Sequence, residues 1–186
     1  MKKASLFATL TAFVAVVSLV TSCKKDDAPA TTTLTLYDSL GGTAMVQDPK
    51  AAAGVMIEKG RLGIRSVVDS TIFVIAADSR INGYFQPLLN EVTAGNTTGF
   101  VALSKTLTDF LAVGTGAKNY TYSGKNMMAA HDPAQNARMN GKANNAAMDA
   151  FIADVVVGAQ KNGLPNNLIG RVGAVLESLR SQVVQR

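Results

Sequence analysis

The chain has 186 residues, 47% of them hydrophobic, with no Trp, one Cys, one His and a formal net charge of +5. A single cysteine cannot close an internal disulfide, so stability must come from a packed core, and the length suits one domain. Two of the lysines, Lys2 and Lys3, lie in an N-terminal leader, which leaves +3, too weak a balance to suggest nucleic acid as a partner.

The leader reads "MKKASLFATLTAFVAVVSLVTSC". A basic start, an apolar run from about Ala4 to Val20 and small residues after it have the layout of a secretory signal, expected here over residues 1–22. The run is short and diluted by Ser and Thr for a membrane span, which needs about 20 apolar residues. Val20-Thr21-Ser22-Cys23 resembles the lipobox of bacterial lipoproteins, in which the cysteine is lipidated. That resemblance implies Cys23 as the lipidation site, the membrane as a partner and an envelope location, with the outer membrane expected because Lys24 follows Cys23 where an inner-membrane retention signal has Asp. A free thiol beside an ordinary cleavage site is the plainer alternative. Residues 23–34 are polar and rich in Lys, Asp, Thr and Pro, and read as a tether. The folded domain is then expected over residues 35–186.

The first part of that domain, "AMVQDPKAAAGVMIEKGRLGI", has Pro49, Gly54 and Gly60 interrupting every long helix, so a loop with a short helical turn is expected. "RSVVDSTIFVIAADSR" (65–80) suits a largely buried helix by its length. Residues 97–116 carry Phe100, Leu103, Leu107, Phe110 and Leu111 on one side of a helix ended by Gly114 and Gly116. Met148, Phe151, Ile152, Val155 and Val156 make the stripe of another helix, capped by Asn144 or Asn145 and stopped by Gly163 and Pro165. Leu168, Ile169, Val172, Val175, Leu176, Leu179 and Val183 predict a last helix, antiparallel to it across the short joint "NGLPN". No alternating strand pattern with a hairpin turn stands out, so the fold class is all-α, in a single domain.

Most catalytic constellations lack their residues. There is no Cys/His pair, no GxxxxGK phosphate loop, no defensible Ser/His/Asp order and no ligand set for zinc. Asp69 reads as a solvated helix face and Asp78 as a helix-end residue. The methionines Met127, Met128, Met139 and Met148 read as packing residues. What remains is His131 in "YSGKNMMAAHDP". A lone histidine ending an apolar helix usually has no chemical role. Haem, however, is a cofactor that needs only one protein ligand.

"LYDSLGG" (36–42) resembles the opening of group 1 truncated haemoglobins, and "YSGKNMMAAH" resembles that family's Tyr-Thr-Gly-x-x-Met-x-x-x-His, with Tyr122, Gly124, Met127 and His131 in register. "INGYF" is similar to the segment that sets a phenylalanine, here Phe85, against the haem, and the last helix pair with its "NGLP" joint also matches. The resemblance covers most of 34–184. It implies a two-over-two helical sandwich, haem b held by His131 as the proximal iron ligand, and a cofactor pocket shared by Phe85, Met127, Tyr122, Phe110, Leu103, Leu107 and Ile72. Tyr120 is expected near the haem edge or capping the preceding loop. The small ligand would be oxygen, nitric oxide or carbon monoxide.

The chain departs from the family's pattern in two places. Residues 43–61 form an insertion, from which Met45 or Met56 is expected to reach the pocket. Where the family usually carries a gas-binding tyrosine this chain has Ile72, and the distal helix positions fall at Leu103, Thr106 and Leu107, so Thr71 and Thr106 are the only polar groups expected near a bound gas. Weak preference for oxygen and fast autoxidation, or an internal sixth ligand, follow as expectations. Two alternatives stand beside gas binding: an enzyme, nitric oxide dioxygenase or peroxidase with a reductase partner, and a haem-free globin scaffold acting as an interaction lipoprotein.

Overall fold

In the computed structural model the described residues are Thr33–Arg186. The expectations for the leader, for Cys23 and for the tether as far as Thr32 lie outside them.

Helix α1 (Leu36–Ser39) opens on a capping box: Asp38 N donates to Thr35 Oγ1 at 3.0 Å and Thr35 N donates to Asp38 Oδ2 at 2.9 Å. Gly41 and Gly42 then turn the chain with φ of 127° and 60°, which side chains bearing a Cβ rarely adopt. The insertion that follows was expected to be a loop. It is instead a short antiparallel hairpin, β1 (Met45–Gln47) and β2 (Met56–Glu58), with Val46 opposite Ile57. Three-residue strands carry too little alternation to be read from sequence. Their pairing rests on loop chemistry: Gln47 Nε2 donates to Ala52 O, Gly54 N donates to Gln47 Oε1, and Arg65 binds the Asp48 carboxylate with two hydrogen bonds of 2.9 and 2.6 Å.

Helix α2 (Lys59–Ala77) begins earlier than the sequence pattern predicts and runs through Gly60 rather than breaking there. A Cβ at Gly60 would come within 3.0 Å of Gly42 N and O and of the Tyr37 ring. Glycine here permits a close backbone crossing rather than ending a helix. Tyr37 is buried beside it, and its hydroxyl donates to Glu58 Oε2 at 2.6 Å, while Asn119 Nδ2 donates to Glu58 Oε1 at 2.6 Å. This buried carboxylate pins α1, the hairpin and the segment after α4 together.

A 3₁₀ turn (Asn82–Phe85) leads into α3 (Gln86–Thr93) and then α4 (Thr98–Thr115). Gly114 lies inside α4; only Gly116, with φ 107°, ends it. The single turn α5 (Met127–Ala130) precedes α6 (Asn145–Lys161), capped by Asn144 Oδ1 accepting from Ala147 N at 2.8 Å. The expected last helix is two, α7 (Asn166–Glu177) and α8 (Arg180–Val183). At the break, the Ser178 hydroxyl bonds the Val175 carbonyl at 2.7 Å, a local side-chain bond that competes with the helix ladder.

Helices α2 and α4 run antiparallel, since Arg61 meets Asp109, Asp69 meets Ser104 and Phe73 meets Phe100. The α6–α7 pair lies across them, with α2 on α6 the most extensive packing. Val68, Ile72, Leu111, Ala112, Met148, Val155, Val172 and Leu176 form the shared core. The fold is all-α with one small hairpin. Among the described residues no helix is long and apolar enough to cross a membrane.

Candidate functional site

The helix pairs do not close completely on each other. Between them, α3, α5 and the segments around α5 leave a cavity of about 480 Å³, within the range of roughly 300–1,000 Å³ usual for small-molecule sites. Its wall takes Ile72 and Ile75 from α2, Phe85 from the 3₁₀ turn, Leu103, Leu107 and Phe110 from α4, Met127 from α5, and Met148 and Phe151 from α6. Leu176, Leu179 and Val183 also line it, and Tyr84, Tyr122, Lys125 and Arg138 add polar atoms. The eight residues singled out from the sequence, His131, Phe85, Met127, Tyr122, Phe110, Leu103, Leu107 and Ile72, all line it.

His131 is the C-cap of α5, and its Nδ1 lies 2.8 Å from Met127 O. A carbonyl only accepts, so Nδ1 carries the hydrogen and Nε2 keeps its lone pair. Burial lowers the imidazole pKa from its ordinary 6.5, so the ring is neutral at pH 7. The short helix that presents it is held at both ends by asparagines: Asn126 Oδ1 accepts from Ala129 N at 2.9 Å, and Asn136 Nδ2 donates to Ala130 O at 2.7 Å. Among the described residues no group of three or more His, Cys, Asp or Glu is placed to hold a metal ion. The site therefore offers a cofactor one neutral nitrogen in an apolar wall.

Tyr122 folds back on its own loop. Its hydroxyl donates to Lys125 O at 2.6 Å, its ring meets Phe110 edge-on at 5.4 Å, and a Cβ on Gly124 would stand 2.6 Å from the ring. The Tyr-x-Gly spacing is thus a packing requirement.

The part of the wall that α2 and α4 supply is apolar but for Thr106, and the two polar groups expected there are elsewhere or occupied. Thr71 does not line the cavity: it is buried against Gly158 of α6, and its hydroxyl donates to Val67 O at 2.8 Å. Thr106 does line it, but its hydroxyl donates to Ala102 O at 2.8 Å. Met45 and Met56, expected to reach in from the insertion, are on the hairpin and exposed at 55% and 48%. Tyr120 is not in the wall; its ring lies 4.2 Å beneath the Arg61 guanidinium. Of the methionines read as packing, Met127, Met139 and Met148 line the cavity and Met128 is exposed. Ile75, Ile81, Tyr84 and Leu88 belong to the wall without having been singled out, because an apolar stripe looks the same whether it faces a core or a cavity.

Of the two aspartates read from the sequence, Asp78 does end a helix, as the C-cap of α2, and Asp69 differs from its reading. Asp69 is not a solvated residue but accepts from Ser104 Oγ and Lys50 Nζ, each at 2.5 Å. Asp154 of α6 is buried beside the helix-ending Asp78; Arg80 binds Asp78 closely, at 2.6 Å, and stands 3.6 Å from Asp154. Burial, with the Asp78 charge next to it, pushes Asp154 up to about 6.

No protein-family model matches the chain, and no curated protein does. Solved structures do. The truncated haemoglobin of Tetrahymena pyriformis in its Fe(III) form is 22% identical, with a TM-score of 0.58 over 82% of this chain and 100% of that one. The 2/2 haemoglobin of Synechococcus sp. PCC 7002, in the cyanomet state with covalently attached haem, is 21% identical, with a TM-score of 0.55 over the same shares. The chain therefore has the truncated-globin fold.

Proposed function

We propose that the domain binds haem b through His131 and takes up a diatomic gas, and that lipidated Cys23 tethers it to the cell envelope. The observation that carries the haem reading is the Nδ1–H bond from His131 to Met127 O inside an apolar cavity. That bond fixes the tautomer whose Nε2 can bind iron and keeps the ring oriented. A haem held here by His131 would supply an iron able to bind oxygen, nitric oxide or carbon monoxide. Phe85, Phe110, Leu103, Leu107, Ile72 and Met127 would hold the macrocycle and exclude water. Lys125 and Arg138, in the same wall, suit the two carboxylates, although Arg138 already pairs with Glu91 at 2.9 Å.

A gas bound against the α2 and α4 wall would find no hydrogen-bond donor there, since Ile72, Leu103 and Leu107 have none and the Thr106 hydroxyl is engaged with its own helix. A donor to a polarised ligand is worth roughly 1.5–3 kcal/mol, about tenfold or more in affinity. Oxygen loses more by its absence than carbon monoxide or nitric oxide. Dioxygenase and peroxidase chemistry profit from polar groups around the reacting atoms, so the same wall favours gas binding over catalysis.

The visible spectrum of the domain from Lys24 onward, prepared with haem beside His131→Ala, tests the proposal. A Soret band that shifts or disappears in the variant is the expected result. A folded helical domain that takes up no haem would overturn it and leave the scaffold reading.

A further inference from the structure

Helix α5 is one turn long, and a helix of that length has no stability of its own. Its position, and with it that of His131, is set by what it is tied to. The two asparagine bonds to α5 are local, from residues three and six positions away from their partners. The tie from a distant part of the chain is Gln185, whose Nε2 donates to Met128 O at 2.8 Å. Helix α5 packs against α8, which leads into Gln185.

The same short stretch holds two more walls of the cavity. Gln185 N donates to Ala143 O at 2.9 Å, next to a parallel bridge between Ala143 and Val184, and Arg186 Nη2 donates to the Tyr84 hydroxyl at 2.8 Å. Ala143, Tyr84 and Val183 all line the cavity. Residues 183–186 therefore join α5, the segment before α6 and the 3₁₀ turn on one side of the site.

We infer that this stretch is a clasp that sets where His131 stands, with Gln185 as its positioning residue; this rests on the reading of His131 as the axial ligand. The Met128 carbonyl that Gln185 holds is one peptide from the Met127 carbonyl that orients the His131 ring. It also shares the His131 amide, which lies 3.3 Å from both carbonyls. Freeing Met128 O loosens the turn that orients the imidazole.

The test uses Gln185→Ala, Gln185→Glu, which keeps the shape but removes the donor, and Gln185→Lys, which restores one. Amide hydrogen exchange is followed at residues 128–131 in the haem-free protein, with α2 and α6 as internal controls for folding. In the loaded protein, haem release to an excess of acceptor apoprotein and the ferrous iron–imidazole stretching band are measured. The Ala and Glu variants are expected to exchange about fivefold faster at 128–131, as loss of one ordinary hydrogen bond dictates. They should also release haem faster with a shifted band, while Lys returns towards wild type. Unchanged exchange in the Glu variant overturns the clasp. A wild type that binds no haem overturns the proposed function instead, and exchange at 128–131 still decides the clasp.

Discussion

Asp154→Asn should stabilise this protein, and by an amount that depends on pH. The Asp154 side chain is 4% accessible, and its Oδ2 has no hydrogen-bond partner. Arg80 spends its close bonds on Asp78, through Nη2 at 2.6 Å and Nε at 2.9 Å, and only Oδ1 of Asp154 is within 3.6 Å of it. Two carboxylates thus share one guanidinium, and the buried one holds its proton up to about pH 6 against an ordinary 3.8. Because the folded value is the higher one, the folded state binds a proton that the unfolded chain has released. The resulting stability is complete below 3.8 and is lost as pH rises through about 6. The displacement corresponds to about 3 kcal/mol at pH 7.5. Asparagine removes the buried charge and points an amide donor where Asp78 can accept it. Urea unfolding at 25 °C should therefore show the variant ahead by up to about 3 kcal/mol at pH 7.5, a midpoint gain of roughly 1–3 M, and by much less at pH 4.5. Equal differences at the two pH values would refute the reasoning, and so would a less stable variant at pH 7.5.

Gly158→Ala should destabilise by about 1–3 kcal/mol, read as a lower melting temperature, because its Cβ would press on Thr71 Oγ1 and stand 2.9 Å from Thr71 N where α2 crosses α6. Ile72→Tyr places a hydroxyl in the apolar wall; in the haem-loaded protein, oxygen affinity should rise about tenfold or more relative to carbon monoxide, as gas titration by absorbance would show. Haem affinity should fall on acidification only below pH 6.5, since burial lowers the His131 pKa and the protonated ring has no lone pair for iron; a spectrophotometric titration losing half its haem above pH 6.5 would contradict this.

What could be read from the sequence was what depends on near neighbours. The stripes of α4 and α6, the Asn144 cap, and the stop at Gly163 with Pro165 before α7 are local, three- and four-residue matters, and each stands in the structure. The motif around His131 was legible too, because Tyr122 and Gly124 must fit each other and Met127 must offer its carbonyl to the ring four residues on. The hairpin was not, for its strands are held by Gln47 and Asp48 rather than by alternation. Gly60 has the look of a breaker until Gly42 is seen to cross it. Thr71 and Ile72 are adjacent in sequence, yet a helix turns them about 100° apart, one against Gly158 and the other into the cavity. The burial of Asp154 and the reach of Gln185 to a carbonyl 57 residues away leave no trace in composition or period. Pattern along a chain reports the face a residue presents, and only packing decides what that face meets.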